Sequence, residues 1–357
     1  MPARVDIDLS AIVRNARALA ARSGARLIPM VKADAYGTGA GPVTRALDAL
    51  DPLAFGVATV REGEELRALG VARPVIVFTP LLDSELGAAR SARLTPALGS
   101  AAAITAWQRL GGGSWHLSID TGMARAGVPW REAVALREIL ASAPPDGVFT
   151  HFHSAELGDG SMEAQDQRFD AAVRELGLPG VMRHTDNSAG VLRRGRTDRD
   201  AVRPGIFLYG GETVSGAAVQ PEAVAHLRAP IVDIRGCESG DSVSYGATFV
   251  APCPMRVATI GAGYADGYPR NVGMHGRPGA SVLLQGGRVP IVGRVTMDMI
   301  MIDVTDVKCA IGDSVTLIGR DGGELVTVAE VGASAGISPY EVLVGLNGRA
   351  ERFYDGN

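Results

Sequence analysis

Cysteine, aromatic residues and long apolar runs are scarce in this chain of 357 residues. The three cysteines, Cys237, Cys253 and Cys309, are odd in number and far apart, which favours reduced thiols over a disulfide framework. No spacing of Cys and His matches a metal site, so we expect no bound metal. No apolar run approaches the length of a membrane span, which argues against a membrane protein.

Basic charge and an amino-terminal targeting signal are also lacking. The formal net charge is −4, and Lys and Arg do not cluster with aromatic residues, which argues against nucleic acid as a partner. The first eight residues, MPARVDID, contain no apolar signal-peptide core. We therefore expect a cytoplasmic protein.

What the chain does contain is a regular alternation of short apolar runs with helix-period segments over its first 210 residues. Eight apolar runs are candidate strands, at residues 27–32, 55–58, 75–78, 94–98, 115–120, 147–152, 181–186 and 202–209. The segments between them carry apolar residues three or four apart, as amphipathic helices do. This α/β pattern predicts a (β/α)8 TIM-like barrel. A doubly wound sheet is the alternative, but no Gly-x-Gly-x-x-Gly turn follows an early strand.

The texture changes after Gly210-Gly211, where short strands alternate with Gly, Pro and Asp. Residues 281–284 and 289–292 flank Gln285–Arg288, which predicts a β-hairpin. We expect three parts: an N-terminal strand at 1–10 that joins the C-terminal domain, a cofactor-binding barrel at 11–220, and a mostly β domain at 221–357. A cleft between two such architectures is a common place for an active site.

Polar residues lie at the predicted carboxyl ends of several barrel strands, where barrels place their chemistry. The amine of Lys32 could form an imine with a carbonyl cofactor. Ser188 and the backbone N–H groups of Gly205 and Ile206 fall where barrels commonly bind phosphate. A reactive lysine beside a phosphate site indicates pyridoxal phosphate (PLP). The further polar residues at this face are Arg125, His151, Asn187 and Arg203.

Six motifs follow one another along the chain: Val31–Gly37, Asp120–Met123, Asn187–Ala189, Arg203–Ile206, Gly263–Tyr268 and Gly293–Asp298. In this order they resemble the alanine racemase family, a family of PLP enzymes with a barrel and a β domain. The resemblance runs nearly from end to end of the chain.

The resemblance implies how the cofactor is held. Lys32 would bind PLP covalently as an imine, and Tyr36 and Ser188, with the N–H groups near Gly205, would bind its phosphate. Arg203 would face the ring nitrogen and keep it unprotonated, which would suppress transamination. His151 would support Arg203, and both would supply a cationic neighbourhood for the catalytic bases. Arg125 would contact the phenolic oxygen of the cofactor or the substrate carboxylate.

The resemblance also implies the reaction, L-alanine to D-alanine, which in bacteria feeds peptidoglycan precursors. Racemisation needs a base on each face of Cα, and the family uses Lys32 and Tyr264, the latter from the neighbouring subunit. The family is accordingly a homodimer with shared active sites. The backbone N–H of Met297 would bind the substrate carboxylate.

Three positions depart from the family pattern. Ser118 stands where many members carry a carbamylated lysine, so something else must hold Arg125. Gly348 stands where some members have a tyrosine, and Tyr354 is a candidate to supply the missing hydroxyl toward the cofactor. If Tyr354 does not supply it, the pocket near the substrate side chain is larger and would admit serine as substrate. The segment Cys237–Asp241 resembles the catalytic segment of PLP-dependent amino-acid decarboxylases, but the segment after it is racemase-like.

Four alternatives therefore remain beside alanine racemisation. They are a serine or broader-specificity racemase, a periplasmic racemase, a PLP-dependent amino-acid decarboxylase and a non-catalytic PLP-binding protein. Residues 221–357 argue against the binding protein, which would have the barrel alone. The absence of a visible signal peptide argues against the periplasmic enzyme.

Overall fold

Eight short parallel strands form a barrel in the computed structural model of the chain, which describes residues 2–274, 279–346 and 348–356. Most of these strands are buried, and helices cover the outer face of the barrel, as parallel strands require. Numbered along the whole chain, the barrel strands are β2 (Arg26–Leu27), β3 (Phe55–Val57), β4 (Val75–Val77), β5 (Thr95–Leu98), β6 (His116–Asp120), β8 (Gly147–Phe149), β9 (Met182–His184) and β10 (Ala201–Val202).

Backbone hydrogen bonds close the barrel into a ring. Strands β3 to β6 pair in order, and β6, β8 and β9 continue the sheet. The N–H of Val31 donates to the carbonyl of Gly56 at 2.8 Å, which joins β2 to β3. The N–H of Arg203 donates to the carbonyl of Asp186 at 2.8 Å, which joins β9 to β10. Strands β10 and β2 pair in parallel and complete the ring.

Helices follow most barrel strands, and some of them begin at a residue whose side chain caps the helix. Thr59 and Glu62 form a reciprocal capping box at the start of α4.

Among the described residues, the structure contains no helix with the length and apolar character needed to span a bilayer. The helices are α1 (Leu9–Ser23), α2 (Lys32–Tyr36), α3 (Ala40–Asp48), α4 (Val60–Ala68), α5 (Asp83–Ser91), α6 (Ala101–Arg109), α7 (Arg137–Ser142), α8 (Ser161–Leu176), α9 (Ser188–Arg194), α10 (Val328–Ala335) and α11 (Pro339–Gly345).

A mostly β unit follows the barrel and is built around the long strand β11 (Ala225–Cys237). Strand β1 (Arg4–Asp8) lies between β11 and β20 (Glu351–Asp355), antiparallel to the first and parallel to the second. The chain's first strand is therefore part of this later sheet. The remaining strands are β7 (Val128–Pro129), which pairs with β6, and β12 (Ser242–Val243), β13 (Phe249–Val250), β14 (Met255–Ile260), β15 (Ser281–Leu284), β16 (Gly287–Pro290), β17 (Ile300–Asp303), β18 (Ser314–Asp321) and β19 (Glu324–Val326).

The fold class agrees with the prediction, but every barrel strand is shorter than the run predicted for it, and two runs differ most. The run predicted as a strand at 202–209 is extended only at Ala201–Val202, and Ile206–Tyr209 is a 3-10 helix. Gly210, at φ +85°, ends that helix. The run at 27–32 gives way to α2, whose backbone is left-handed.

Candidate active site

A cavity of about 640 Å³ opens at the carboxyl ends of the barrel strands. The residues that line it come from both ends of the chain, because Tyr340 of α11 closes one side. The structure brings ten of the residues singled out from the sequence to this cavity: Lys32, Tyr36, Ser118, Arg125, His151, Asn187, Ser188, Arg203, Gly205 and Ile206.

A turn of left-handed backbone places Lys32 and Tyr36 side by side. Ala33, Asp34, Ala35 and Tyr36 have φ between 51° and 56°, although none of them is glycine. Each left-handed L-residue costs roughly 1–2 kcal/mol, so the surrounding structure must hold this turn in place.

Two side chains from distant parts of the chain, and the carboxylate of Asp34 within the turn, hold the turn in place. A carboxylate oxygen of Glu62 accepts the N–H of Ala33 at 2.7 Å. The carboxylate of Asp34 accepts the N–H of Ala40 at 2.7 Å and a guanidinium N–H of Arg352 at 2.5 Å. Because these anchors come from α4 and β20, both units of the fold fix the position of Lys32.

The surroundings of Lys32 favour its neutral amine. Burial, and then the positive charge of Arg125, lower the pKa of Lys32, and the carboxylate of Glu62 opposes them. A neutral amine is the form that can bond a carbonyl carbon or accept a proton.

Tyr36, Ser188 and Gly205 form a compact polar cradle beside Lys32. The N–H of Gly205 donates to the hydroxyl oxygen of Ser188 at 2.9 Å. A Cβ at position 205 would collide with the hydroxyl of Tyr36, so only glycine admits that hydroxyl. Tyr36 itself stacks on Tyr209 with ring centroids 4.7 Å apart, and the Tyr209 hydroxyl donates to the carbonyl of Met30 at 2.8 Å.

Arg203 lies at the back of the cavity, 4% exposed and without an ion pair among the described residues. One terminal nitrogen donates to the carbonyls of Thr150 and Thr185, at 2.6 and 3.1 Å. The N–H at Nε has no acceptor in the described part of the chain, so it is free for a ligand. Burial lowers the pKa of Arg203 to about 10, which still leaves it protonated at neutral pH.

Two buried histidines extend from Arg203 into the barrel. The other terminal nitrogen of Arg203 lies 2.9 Å from Nδ1 of His184, and Nε2 of His184 lies 2.8 Å from Nδ1 of His116. Arginine can only donate, so His184 accepts at Nδ1 and donates from Nε2 to His116. Burial lowers the pKa of His116 to about 4 and the pKa of His184 well below its usual value, so both rings are neutral at pH 7.

His151 corrects one expectation from the sequence. Burial first, and then the charges of Arg203, Arg125 and Lys32, lower the pKa of His151 to about 3. The ring is therefore neutral at pH 7 and supplies no positive charge to the site. The cationic neighbourhood expected of His151 and Arg203 together comes from Arg203 and Arg125 instead.

Arg125 reaches the cavity without a fixed partner. The described residues offer its guanidinium no hydrogen bond or ion pair, and it is exposed. Ser118 lines the same cavity but is too short to act as a lysine carbamate would. Arg125 is thus available to an anion that enters the cavity.

Four residues considered from the sequence lie elsewhere in the chain's own fold. Tyr264 and Met297 are 39% and 52% exposed on the β unit and do not line the Lys32 cavity. Tyr354 also lies outside it, because β20 directs its ring to Gly39, behind the turn that carries Tyr36. Cys237 packs at the end of β11 against a small cluster that includes Val257.

Position 348 lies against the Tyr264 turn rather than in the cavity. A Cβ there would come within 2.7 Å of the carbonyl oxygen of Ala265. A side chain at position 348 therefore requires the Tyr264 turn to shift from the position it has in this chain.

Sequence reasoning did not assign four residues that shape the site. Asp34 and Glu62 fix the turn, His184 holds Arg203, and Tyr340 lies 6.0 Å from Tyr36 between ring centroids. Asp34 lies inside a recognised motif, which is a signal that was available. Nothing in the sequence places the other three beside the motif residues.

These residues fit a cofactor with a phosphate and an aromatic nitrogen. The cradle at Gly205 leaves no room for a side chain but offers hydroxyl and N–H groups to an oxyanion. The buried arginine presents a free N–H to an acceptor, and Lys32 carries the reactive amine between them. This donor set fits PLP.

Comparisons with known proteins agree with these features. Family models described as "Alanine racemase, N-terminal domain" and "Alanine racemase, C-terminal domain" match residues 7–213 and 224–354. An alanine racemase of Symbiobacterium thermophilum is 38% identical over 373 residues, which cover 99% of this chain and 97% of the relative.

Solved structures have the same fold. An alanine racemase from E. faecalis matches with a TM-score of 0.91 and 29% identity, covering 99% of this chain and 98% of that one. An alanine racemase from Bartonella henselae with covalently bound pyridoxal phosphate matches with a TM-score of 0.89 and 28% identity, covering 99% of this chain and 100% of that one.

Proposed function

The chain belongs to the alanine racemase family of PLP-dependent isomerases, and we propose that it interconverts L- and D-alanine with Lys32 and a partner subunit's Tyr264 as its two bases. The observation that carries the proposal is the convergence of Lys32, Tyr36, Ser188 and Arg203 on one cavity. When bound, PLP links to the substrate amine and withdraws electrons from the Cα–H bond, which makes the α-proton acidic.

The chain's own residues would hold the cofactor at both ends. Tyr36, Ser188 and the N–H of Ile206 would bind its phosphate, and the free N–H of Arg203 would face its ring nitrogen. Because Arg203 stays protonated, it would donate a hydrogen bond to that nitrogen without transferring a proton to it. His184 and His151, both neutral, fix the guanidinium without competing for its charge.

Lys32 would serve one face of the substrate Cα. Its lowered pKa keeps the amine neutral over a wider pH range. A neutral amine that is not bonded to the cofactor would be able to accept the α-proton of the substrate. The left-handed turn fixes the backbone that follows Lys32, which holds its amine at the cavity.

Tyr264 would serve the opposite face from the partner subunit. It begins a short 3-10 turn, and the N–H groups of Tyr264 and Ala265 donate to the carbonyls of Thr296 and Met297, each at 3.0 Å. Arg349 joins these two loops by donating to Asp266 at 2.9 Å and to Asp298 at 2.8 Å. Tyr264 and Met297 thus form one exposed patch, which supports their joint delivery to another subunit's cavity in a homodimer.

Arg125 and Met297 would hold the substrate carboxylate. Arg125 has a free guanidinium at the cavity, and the backbone N–H of Met297 lies in the delivered patch. Two such contacts would set which face of Cα points to Lys32.

We also propose the division of the chain at 1–10, 11–220 and 221–357, and a cytoplasmic location that serves peptidoglycan precursors. The pairing of β1 with β11 and β20 supports placing the first residues with the C-terminal domain. The two family models meet between residues 213 and 224, close to the proposed boundary.

The reaction is tested by proton NMR of the PLP-loaded protein in D2O with L-alanine, L-serine and L-lysine offered separately. Loss of the α-proton signal with D-alanine formed, fastest for alanine, is the expected result. Chiral analysis of the products distinguishes racemisation from exchange with retention.

Other results would replace the proposal with a named alternative. Faster exchange with serine would make the enzyme a serine or broader-specificity racemase. Release of carbon dioxide would indicate a decarboxylase, and bound PLP without any exchange would indicate a binding protein.

A further inference from the structure

A second cavity, of about 490 Å³, lies at the opposite end of the barrel from Lys32. It opens at the amino ends of β4, β5 and β6 and shares no lining residue with the first cavity. Its volume falls in the range of roughly 300–1,000 Å³ that small-molecule sites occupy. The lining residues that matter here are Arg67, Arg90, Arg93, Thr95, Trp107 and Ser114.

The cavity concentrates positive charge without a carboxylate to balance it. Arg67, Arg90 and Arg93 line it, no Asp or Glu does, and none of the three arginines forms an ion pair with a described residue. The neighbouring Arg73 behaves differently, because Asp48 accepts from it at 2.7 Å. Three unbalanced cations in a chain of net charge −4 create a local potential that attracts an anion.

Internal hydrogen bonds fix two of these arginines at the cavity. Arg67 donates to the carbonyls of Val71 and Arg73 at 2.6 and 2.7 Å, and also to those of Ala92 and Arg93. Arg90 donates to the carbonyl of Gly112. Arg93 is exposed and has no side-chain partner among the described residues, so its guanidinium is free to bind.

A hydroxyl that faces the cavity is a second sign of a ligand. Thr95 lines the cavity and is only 5% exposed as a residue, and its hydroxyl has no hydrogen-bond partner in the described part of the chain. Because this hydroxyl is not sealed from solvent, it can bond a molecule that enters the cavity. The hydroxyl of Ser114, at the rim, is also unpaired within the described residues.

We propose that this cavity binds a phosphorylated small molecule. Arg90 and Arg93 would hold the phosphoryl group at the rim, where planar guanidinium groups match its oxygens. The Thr95 hydroxyl would bind a further oxygen. The cavity is larger than inorganic phosphate requires, and Leu94 and Trp107 provide an apolar wall for an organic portion of the ligand.

The test uses the PLP-loaded enzyme, so that the cofactor already occupies the phosphate cradle near Ser188. Glycerol 3-phosphate, inorganic phosphate and citrate are titrated separately by calorimetry at about 0.15 M salt, where distant surface charges are screened. We expect glycerol 3-phosphate to bind more tightly than inorganic phosphate. The Arg90→Ala/Arg93→Ala double variant should weaken that binding by about tenfold or more.

Two further variants make the result specific to the cavity. Arg17→Ala/Arg174→Ala removes the same charge from two exposed helix positions outside the cavity, where neither arginine has a side-chain partner among the described residues. This variant should bind glycerol 3-phosphate as the parent does. Thr95→Val replaces the cavity-facing hydroxyl with a methyl group and should weaken binding while leaving racemisation unchanged. It also keeps the proposal testable if the double variant does not fold.

Three results would overturn the proposal. They are the absence of binding by either phosphate probe, equal binding in the two double variants, and binding of citrate with none of glycerol 3-phosphate. None of these depends on whether the enzyme racemises alanine, so the two proposals stand or fall separately.

Discussion

At the scale of single residues, Gly205 has little freedom to change, because a side chain there would meet the Tyr36 hydroxyl. Gly205→Ala should push the Tyr36 hydroxyl out of the cradle and weaken PLP binding by about tenfold to a hundredfold, the worth of one hydrogen bond to a charged group. The PLP dissociation constant, measured by absorbance on re-addition to apoprotein, checks this.

Gly87→Ala is the matched control, since nothing lies within 4 Å of a Cβ at that helical position. It should leave PLP affinity unchanged. Equal affinity in the Gly205→Ala protein would show that the Tyr36 hydroxyl does not contribute to the cradle.

The buried histidines predict an acid-sensitive barrel. The folded-state pKa of His116 is lowered from 6.5 to about 4, so the unfolded chain takes up the proton first. This contribution to stability is therefore complete above pH 6.5 and is lost as the pH falls toward 4, by up to about 1.4 kcal/mol per pH unit. Unfolding midpoints of apoprotein measured between pH 7 and pH 4.5 should show the fall.

Substitution separates His116 from other acid effects. His116→Asn keeps a polar group but cannot titrate, so the midpoint should depend less steeply on pH. His153→Asn, at an exposed position, should leave the dependence as it is. An unchanged slope in His116→Asn would contradict this account.

At the scale of elements, the left-handed turn is the strained part of the fold. Ala33 is exposed and has φ +51°, so Ala33→Gly should relieve strain and raise the free energy of unfolding by about 0.5 kcal/mol. The same change at Ala102, an exposed position in the right-handed helix α6, should lower it by about 0.5–1 kcal/mol. Denaturant unfolding of the two variants gives the signs, and equal signs would show that the turn is not strained.

The same turn shows where sequence reasoning ends. The alternation of apolar runs and helical segments predicts the barrel, because burial periodicity is local. No glycine marks the turn at residues 33–36. Its left-handed backbone depends on Glu62, which is 29 residues from Ala33, and on Arg352, which is 318 residues from Asp34. A backbone held by distant side chains leaves no local pattern to read.

The site divides in the same way. Motif residues such as Lys32 and Arg203 can be placed from the sequence, because they follow predicted strands. The chain from Arg203 through His184 to His116 joins three strands and becomes visible only when the barrel closes. Likewise, the Tyr354 ring lies away from the cavity because of the register in which β20 pairs with β1. The amino-acid sequence of β20 alone does not reveal that register.

At the scale of the whole molecule, Arg349 should affect turnover without affecting the cofactor. Arg349→Met breaks the link between the Tyr264 turn and the Met297 loop, so kcat should fall by about tenfold or more because the second base is misplaced. PLP affinity should stay the same, because the chain's own cavity is intact. Arg235→Met, which removes an exposed ion pair on β11, is the control.

Steady-state kinetics and PLP titration on the same preparations separate the two effects. A joint loss of kcat and PLP affinity would show that Arg349 stabilises the β unit as a whole and does not specifically position Tyr264.

The central claim is that each active site takes Lys32 from one subunit and Tyr264 from the other. Lys32→Ala and Tyr264→Phe proteins should each be inactive, and mixing them under conditions that exchange subunits tests the claim directly. Half of the randomly reassembled dimers then carry one intact site of two, so the mixture should recover about a quarter of the parent activity. A mixture as inactive as its components, despite demonstrated subunit exchange, would contradict the shared site.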